Sequence, residues 1–125
     1  MFVQVGQQKG FGIGVGNTTT DTSGNKIVMI YESVRWIPTS TILSTGWHHI
    51  AMVVDGSSIP TAYVDGTSTG AYAGGAMVTP DIGTYIGAVP TTAADDFTGS
   101  VDDVRVYNRA LSLAEIISLY SAGPK

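Results

Sequence analysis

The chain has no cysteine among its 125 residues. That excludes disulfides, thiolate metal sites and a cysteine nucleophile, although it does not fix the compartment. Glutamate is scarce as well, with only Glu32 and Glu115. Six basic residues are scattered against ten acidic ones, for a net charge of −4. No stripe of positive charge is left to neutralise phosphates, so a nucleic-acid partner is not expected. No apolar run is long enough to span a bilayer, so membrane insertion is not expected either. The first ten residues, MFVQVGQQKG, lack the charged and apolar regions of a secretory leader. Either the protein stays inside the cell, or a leader has been removed, or the chain is a fragment. Strong helix formers are scarce before the last fifteen residues.

What is present is β-forming. Sixteen glycines accompany many Thr, Ser and Val. The length suits one domain, residues 1–125, able to bury roughly two-thirds of its unfolded surface without staples. GFGIGVG, residues 10–16, has glycine at every second position. In a strand those glycines share one face, and Phe11, Ile13 and Val15 share the other. A bare face lets a layer or a ligand approach the backbone closely. The dinucleotide fingerprint G-x-G-x-x-G fits poorly, because Val15 or Asn17 stands where its third glycine belongs and no helical pattern follows.

Further strands are expected at 2–5, at 26–34 with an unbroken apolar run from Ile27 to Tyr31, at 47–54, at 61–66 and at 82–88. Residues 37–46 read as a loop with a short apolar insert, and 67–76 as a turn with a weak strand. Asp55-Gly56 and Asp65-Gly66 are turn signals, so 47–66 reads as a hairpin. Residues 97–107, FTGSVDDVRVY, read as the last long strand. Asp102, Val104 and Val106 take one face, and Val101, Asp103, Arg105 and Tyr107 the other. One helix closes the chain. Ser112 and Glu115 form a capping box, Leu111 and Ile116 occupy the staple positions, and Gly123-Pro124 stops it. The sum is an all-β antiparallel sandwich or jelly roll with one short C-terminal helix.

GWHHIAMVVDG (46–56), AYVDG (62–66), IGTYIG (82–87) and FTGSVDDVRVYNRALSLAEIISLY (97–120) resemble the laminin G-like, concanavalin A-like lectin/glucanase superfamily. The similarity covers about residues 46–120, and its last motif joins strand, turn, cap and helix in fixed order. It implies a jelly roll of two curved antiparallel sheets in a protein usually secreted or displayed at a cell surface. Members of the family usually carry more strands ahead of the Trp-His-His strand, beginning with one beside the C-terminal strand. Only about 46 residues precede it here, which implies a missing or rearranged N-terminal strand. The neighbouring strand would then expose unpaired backbone, and a homo-oligomer, a symmetric dimer or a strand swap, is the expected remedy.

Chemistry is sparse. His48 and His49 are adjacent, so in a strand they point oppositely and cannot jointly grip one metal. Retaining glycosidases need two carboxylates about 5 Å apart. Glu115 is used by the capping box, and Glu32 has no acidic residue within ten positions. Asp95-Asp96 lie in a loop, and Asp102-Asp103 face oppositely. No G-x-S-x-G elbow is present. The chain therefore reads as a non-enzyme. In related glucanases the Asp of a VDxVRVY strand ligates a structural calcium together with N-terminal carbonyls, and the resemblance maps that ligand onto Asp102. The alternative is that Asp102 hydrogen-bonds a turn while Asp103 pairs with Arg105 or Arg109. Sugar binding needs exposed rings with polar groups around them. The candidates are Trp36 beside Arg35 in a loop, Tyr31, Tyr72 and Tyr85, each of which can instead fill the core or cap its ends. Two functions follow. One is a non-catalytic module recognising carbohydrate or glycoprotein, with the glycine face flooring a shallow groove. The other is a structural domain that self-associates through an unpaired edge.

Overall fold

A computed structural model of the chain describes residues 2–6, 9–18, 21–31, 35–72, 84–88 and 97–123. The elements are β1 (Phe2–Gly6), β2 (Lys9–Thr18), β3 (Asp21–Tyr31), β4 (Arg35–Ile42), β5 (Ile50–Val54), β6 (Pro60–Val64), β7 (Thr67–Ala71), β8 (Thr84–Ile86) and α1 (Leu113–Ala122). They build two antiparallel sheets, a five-stranded one in the order β4-β3-β2-β1-β8 and a three-stranded one in the order β5-β6-β7. The sheets pack face to face, with β4 against β7, β3 against β6 and β2 against β5.

The core lies between them. Ile13, Ile27 and Met29 from the larger sheet meet Ala62 and Val64 from the smaller, with Val15, Leu43, Ile50, Met52 and Tyr72 packed around. GFGIGVG lies in β2, the middle strand of five, so its alternation is that of a strand rather than of a phosphate loop. The apolar run of 26–34 lies on β3. Ile27, Val28 and Met29 are all buried there, so both faces of that strand are covered.

Turn chemistry fixes the smaller sheet. Between β5 and β6 the Asp55 carboxylate accepts from the Ser57 and Ile59 amides at 2.8 and 2.9 Å, an Asx-type turn. Between β6 and β7 the two turn residues, Asp65 and Gly66, have φ of 51° and 77°, the tight hairpin turn whose twist matches the strands. The capping box is formed. The Glu115 amide donates to Ser112 Oγ at 3.3 Å, and the Ser112 amide donates to Glu115 Oε2 at 2.8 Å. Ile116, at 0% exposed, anchors the helix, and the Gly123 amide closes its far end on the Leu119 and Tyr120 carbonyls. The helix lies over the β6–β7 turn, where a Cβ on Gly66 would stand 3.3 Å from Ile117 Cγ1.

Two expectations need correction. Residues 37–46 are not a loop from their start, because Arg35–Ile42 pair with β3. Pro38 fits there because β4 is the outermost strand of its sheet, where a missing N–H costs no ladder bond on the open side. The second concerns 97–107, which is not a strand. Residues 98–107 belong to no ladder and make no backbone–backbone hydrogen bond among the described residues, and Asp103 has a left-handed φ of 49°. Val101, Val104, Val106 and Tyr107 are 42–64% exposed. Among the smaller differences, β5 begins at Ile50 rather than at residue 47, because the preceding histidines are engaged elsewhere.

Candidate functional site

The ladder registers of the larger sheet line up one row across all five strands. Tyr85 pairs with Val3, Val3 with Gly12, Gly12 with Ile30, and Ile30 with Trp36. Residues paired across a ladder share a face. This row lies on the face opposite Ile13 and Met29, and therefore away from the smaller sheet. Four strand steps separate Tyr85 from Trp36, about 19 Å at the usual inter-strand spacing. Two aromatic positions thus bracket the outer face, with Gly12 midway between them.

The other candidates fall elsewhere. Tyr31 pairs with Arg35 and with Phe11, in the adjacent row, on the face that carries the core. Tyr72 is half-buried and packs on the core cluster. Tyr85 is half-buried on β8. Gly10, Gly12 and Gly14 are buried and Val28 is only 2% exposed, so the glycine face is not the open trough that its bareness suggests. Any contact surface there is confined to the flanks, at β4 and β8. Glu32 and Asp95-Asp96 lie outside the described residues.

A second cluster gathers around the adjacent histidines, whose partners the sequence did not identify. His48 Nδ1 lies 2.7 Å from Asp65 Oδ2, and its Nε2 lies 3.1 Å from Ser44 Oγ and 3.2 Å from the Ser44 carbonyl. The His49 amide donates to Asp65 Oδ1 at 2.9 Å. Hydroxyl, imidazole and carboxylate in that order are the connectivity of a hydrolase triad. Here both Asp65 oxygens are committed to neighbouring chain, and the carbonyl of Ser44 competes with its hydroxyl for one ring nitrogen. The cluster ties the loop at 44–49 to the β6–β7 turn, and its geometry is that of a brace. The only sequence signal was the Asp of AYVDG, which reads first as a turn residue.

His49 turns the other way, as its place in the chain requires. Its ring lies 6.3 Å from that of Tyr120 on α1, and its Nδ1 is buried without a hydrogen-bond partner among the described residues. Burial pulls this imidazole below its usual range, and the charge of Asp65 opposes that pull. Nearby, Asp102 Oδ1 accepts from the Asp103 amide at 2.8 Å, while Arg105 grips Asp103 with two bonds of 2.8 Å. Arg109 holds Glu115 in the same forked way at 3.1 and 2.7 Å, and with the Ser112 bonds it lowers that carboxyl to about 2. Among the described residues no three His, Asp or Glu side chains converge as a metal cage.

Comparison with known families accounts for this architecture. Residues 1–117 match a laminin G-type family model described as the concanavalin A-like lectin/glucanases superfamily. The chain belongs to that superfamily. Two antiparallel sheets with one short terminal helix are its jelly roll. Among solved structures the chain is similar to an S-layer domain-containing protein from Clostridium thermocellum (residues 221–444), at 24% identity and a TM-score of 0.50. The alignment covers 92% of this chain and 58% of that one, so the present chain spans little more than half of its structural relative. That likeness bears on the fold alone. No curated protein matches the chain. Laminin G-like members of the superfamily are mostly non-catalytic, while some concanavalin A-like members are glycosidases.

Proposed function

We propose that this chain is a non-catalytic recognition module for carbohydrate, free or carried on a glycoprotein. The observation that carries the reading is the row that sets Trp36 and Tyr85 on one outer face, on the two outermost strands of the larger sheet. Two aromatic positions about 19 Å apart, with a covered centre between them, suit two separate sugar contacts better than one sugar held between them. An aromatic residue can stack on a pyranose face, and with Gly12 and Val28 buried at the centre the two contacts lie at the flanks, on β4 and β8. Tyr31 and Arg35 fall on the opposite face and Tyr72 packs on the core, so these three are assigned no direct contact.

The test is a glycan array on the purified chain, followed by calorimetry on the best ligand. Trp36→Ala and Tyr85→Ala should each weaken binding by about tenfold, with the far-UV spectrum unchanged. An array without any specific signal, or affinity untouched by both substitutions, would sink the reading. Calcium at Asp102 is a separate proposal resting on the VDDVRVY motif, and it has its own readout. A cation held only by the folded chain must raise the melting temperature by mass action. Addition of millimolar calcium should do so in the unsubstituted chain and not in Asp102→Ala, and no shift in either disposes of it.

A further inference from the structure

The segment 101–107, Val-Asp-Asp-Val-Arg-Val-Tyr, has strand alternation but no partner strand among the described residues. Its apolar side chains are out in solvent, with Val106 at 64% exposed, Val101 at 46% and Val104 and Tyr107 at 42%. It passes close enough to His49, the residue ahead of β5, for the charges of Arg105 and Asp103 to act on that ring. Other large apolar side chains are exposed as well: Trp47, just ahead of β5, is 53% exposed, and Leu113 and Ile117 on α1 are 53% and 45% exposed.

The order of residues in the segment says what would cover it. When two copies run antiparallel with Val104 opposite Val104, Asp103 of each faces Arg105 of the other, and Val101 of each faces Tyr107 of the other. Both charge pairs are of opposite sign, and both flanking pairs join an aromatic ring to a β-branched side chain, two combinations that favour cross-strand pairing. The remaining pairs set Asp102 of each copy against Val106 of the other, so the complementarity about Val104 lies on the face of Val101, Asp103, Arg105 and Tyr107, where the pattern is symmetric as a two-fold interface requires. The present geometry also fits. Asp103 is held at a φ of 49° while Arg105 folds back onto it within the same chain. Straightening the strand releases that left-handed backbone and hands the guanidinium to the other copy without leaving either charge unpaired.

We infer that residues 101–107 are a dimerisation strand, and that its partner is the same segment of a second copy of this chain in antiparallel register about Val104. The inference does not depend on sugar binding. The experiment is a charge swap read by light scattering and sedimentation across a hundredfold range of protein concentration. The unsubstituted chain should show concentration-dependent dimer. Asp103→Arg and Arg105→Asp, taken separately, set like charges opposite each other and should weaken the dimer by about tenfold or more. The double variant D103R/R105D restores opposite signs and should regain the dimer. Mixing the two single variants should give a one-to-one heterodimer, which no intrachain pairing of this segment can produce. Melting curves on each variant show that it folds. A monomer at every concentration overturns the inference. So does a dimer indifferent to both single swaps, and so does a mixture of the single variants that stays monomeric.

Discussion

Residues 50–71 and residues 97–107 carry the same kind of pattern and come to different ends. In β6 alternation becomes burial directly, with Pro60, Ala62 and Val64 buried and the residues between them half-exposed. In 101–107 alternation just as regular leaves every side chain exposed. The difference is what each stretch is tied to. Asp55 and the Asp65-Gly66 turn bring β5, β6 and β7 together over a few residues, so the register is set locally and the entropy of closing the loop is small. Among the described residues the 97–107 stretch is tied back only at its start, where the Phe97 amide donates to the Gly87 carbonyl at 2.7 Å. No ladder partner for residues 98–107 lies among the described residues. Alternation states which face a residue would take. It does not state that a ladder exists.

Three pairs of substitutions press on that contrast. Ile116 fixes the helix over the first region and is 0% exposed, whereas Val106 in the second is 64% exposed. Ile116→Ala should cost about 2–5 kcal/mol in urea unfolding. Val106→Ala should stay within about 0.5 kcal/mol at concentrations where the chain is monomeric. Equal costs would mean that 101–107 is packed after all. The next largest effect belongs to the brace. Asp65→Ala strands the His48 ring and the His49 amide together, for about 1–3 kcal/mol. Removing Asp103, which is paired with Arg105 in full solvent, should leave the melting point of the monomer nearly unmoved. Third, Gly66→Ala forces an L side chain into a φ of 77° and against Ile117, for about 1 kcal/mol or more. The same change at Gly56, where a Cβ meets open space, should be far milder.

How much of this was legible follows from the range of each signal. The helix was, in cap, anchor and stop, because every cue lay within a few residues of Ser112. The two Asp-Gly turns and the core strands were legible for the same reason. β4 was missed because Pro38 reads as a break, and only the position of that strand at the edge of its sheet excuses it. The superfamily was legible in motifs that link consecutive elements. What lay beyond reach was long in range. The alignment of Trp36 with Tyr85 depends on four successive registers, and the bond from His48 to Asp65 spans seventeen residues. Composition carries neither.

The gentlest test of the contrast is acid. His49, one residue ahead of β5 with its ring 6.3 Å from that of Tyr120 on α1, is held below its usual pKa mainly by burial. The unfolded chain, with an ordinary imidazole near 6.5, therefore binds a proton before the folded chain does. Where the unfolded state holds more protons, stability rises with pH. The contribution of His49 is complete above about pH 7 and declines as pH drops below about 6.5. Glu115 acts lower. Its carboxyl is lowered to about 2 by Arg109 first and the Ser112 bonds second, so its support is whole above about 4.5 and disappears as pH falls toward 2. Urea midpoints measured from about pH 8 to pH 3 should therefore fall in two separate steps. His49→Gln should flatten the upper step alone, and Glu115→Gln the lower step alone. Both groups belong to the ordered corner where β5, the β6–β7 turn and the helix meet. An upper step that survives His49→Gln would mean that another group carries it and that burial of this ring does not set the stability of the corner.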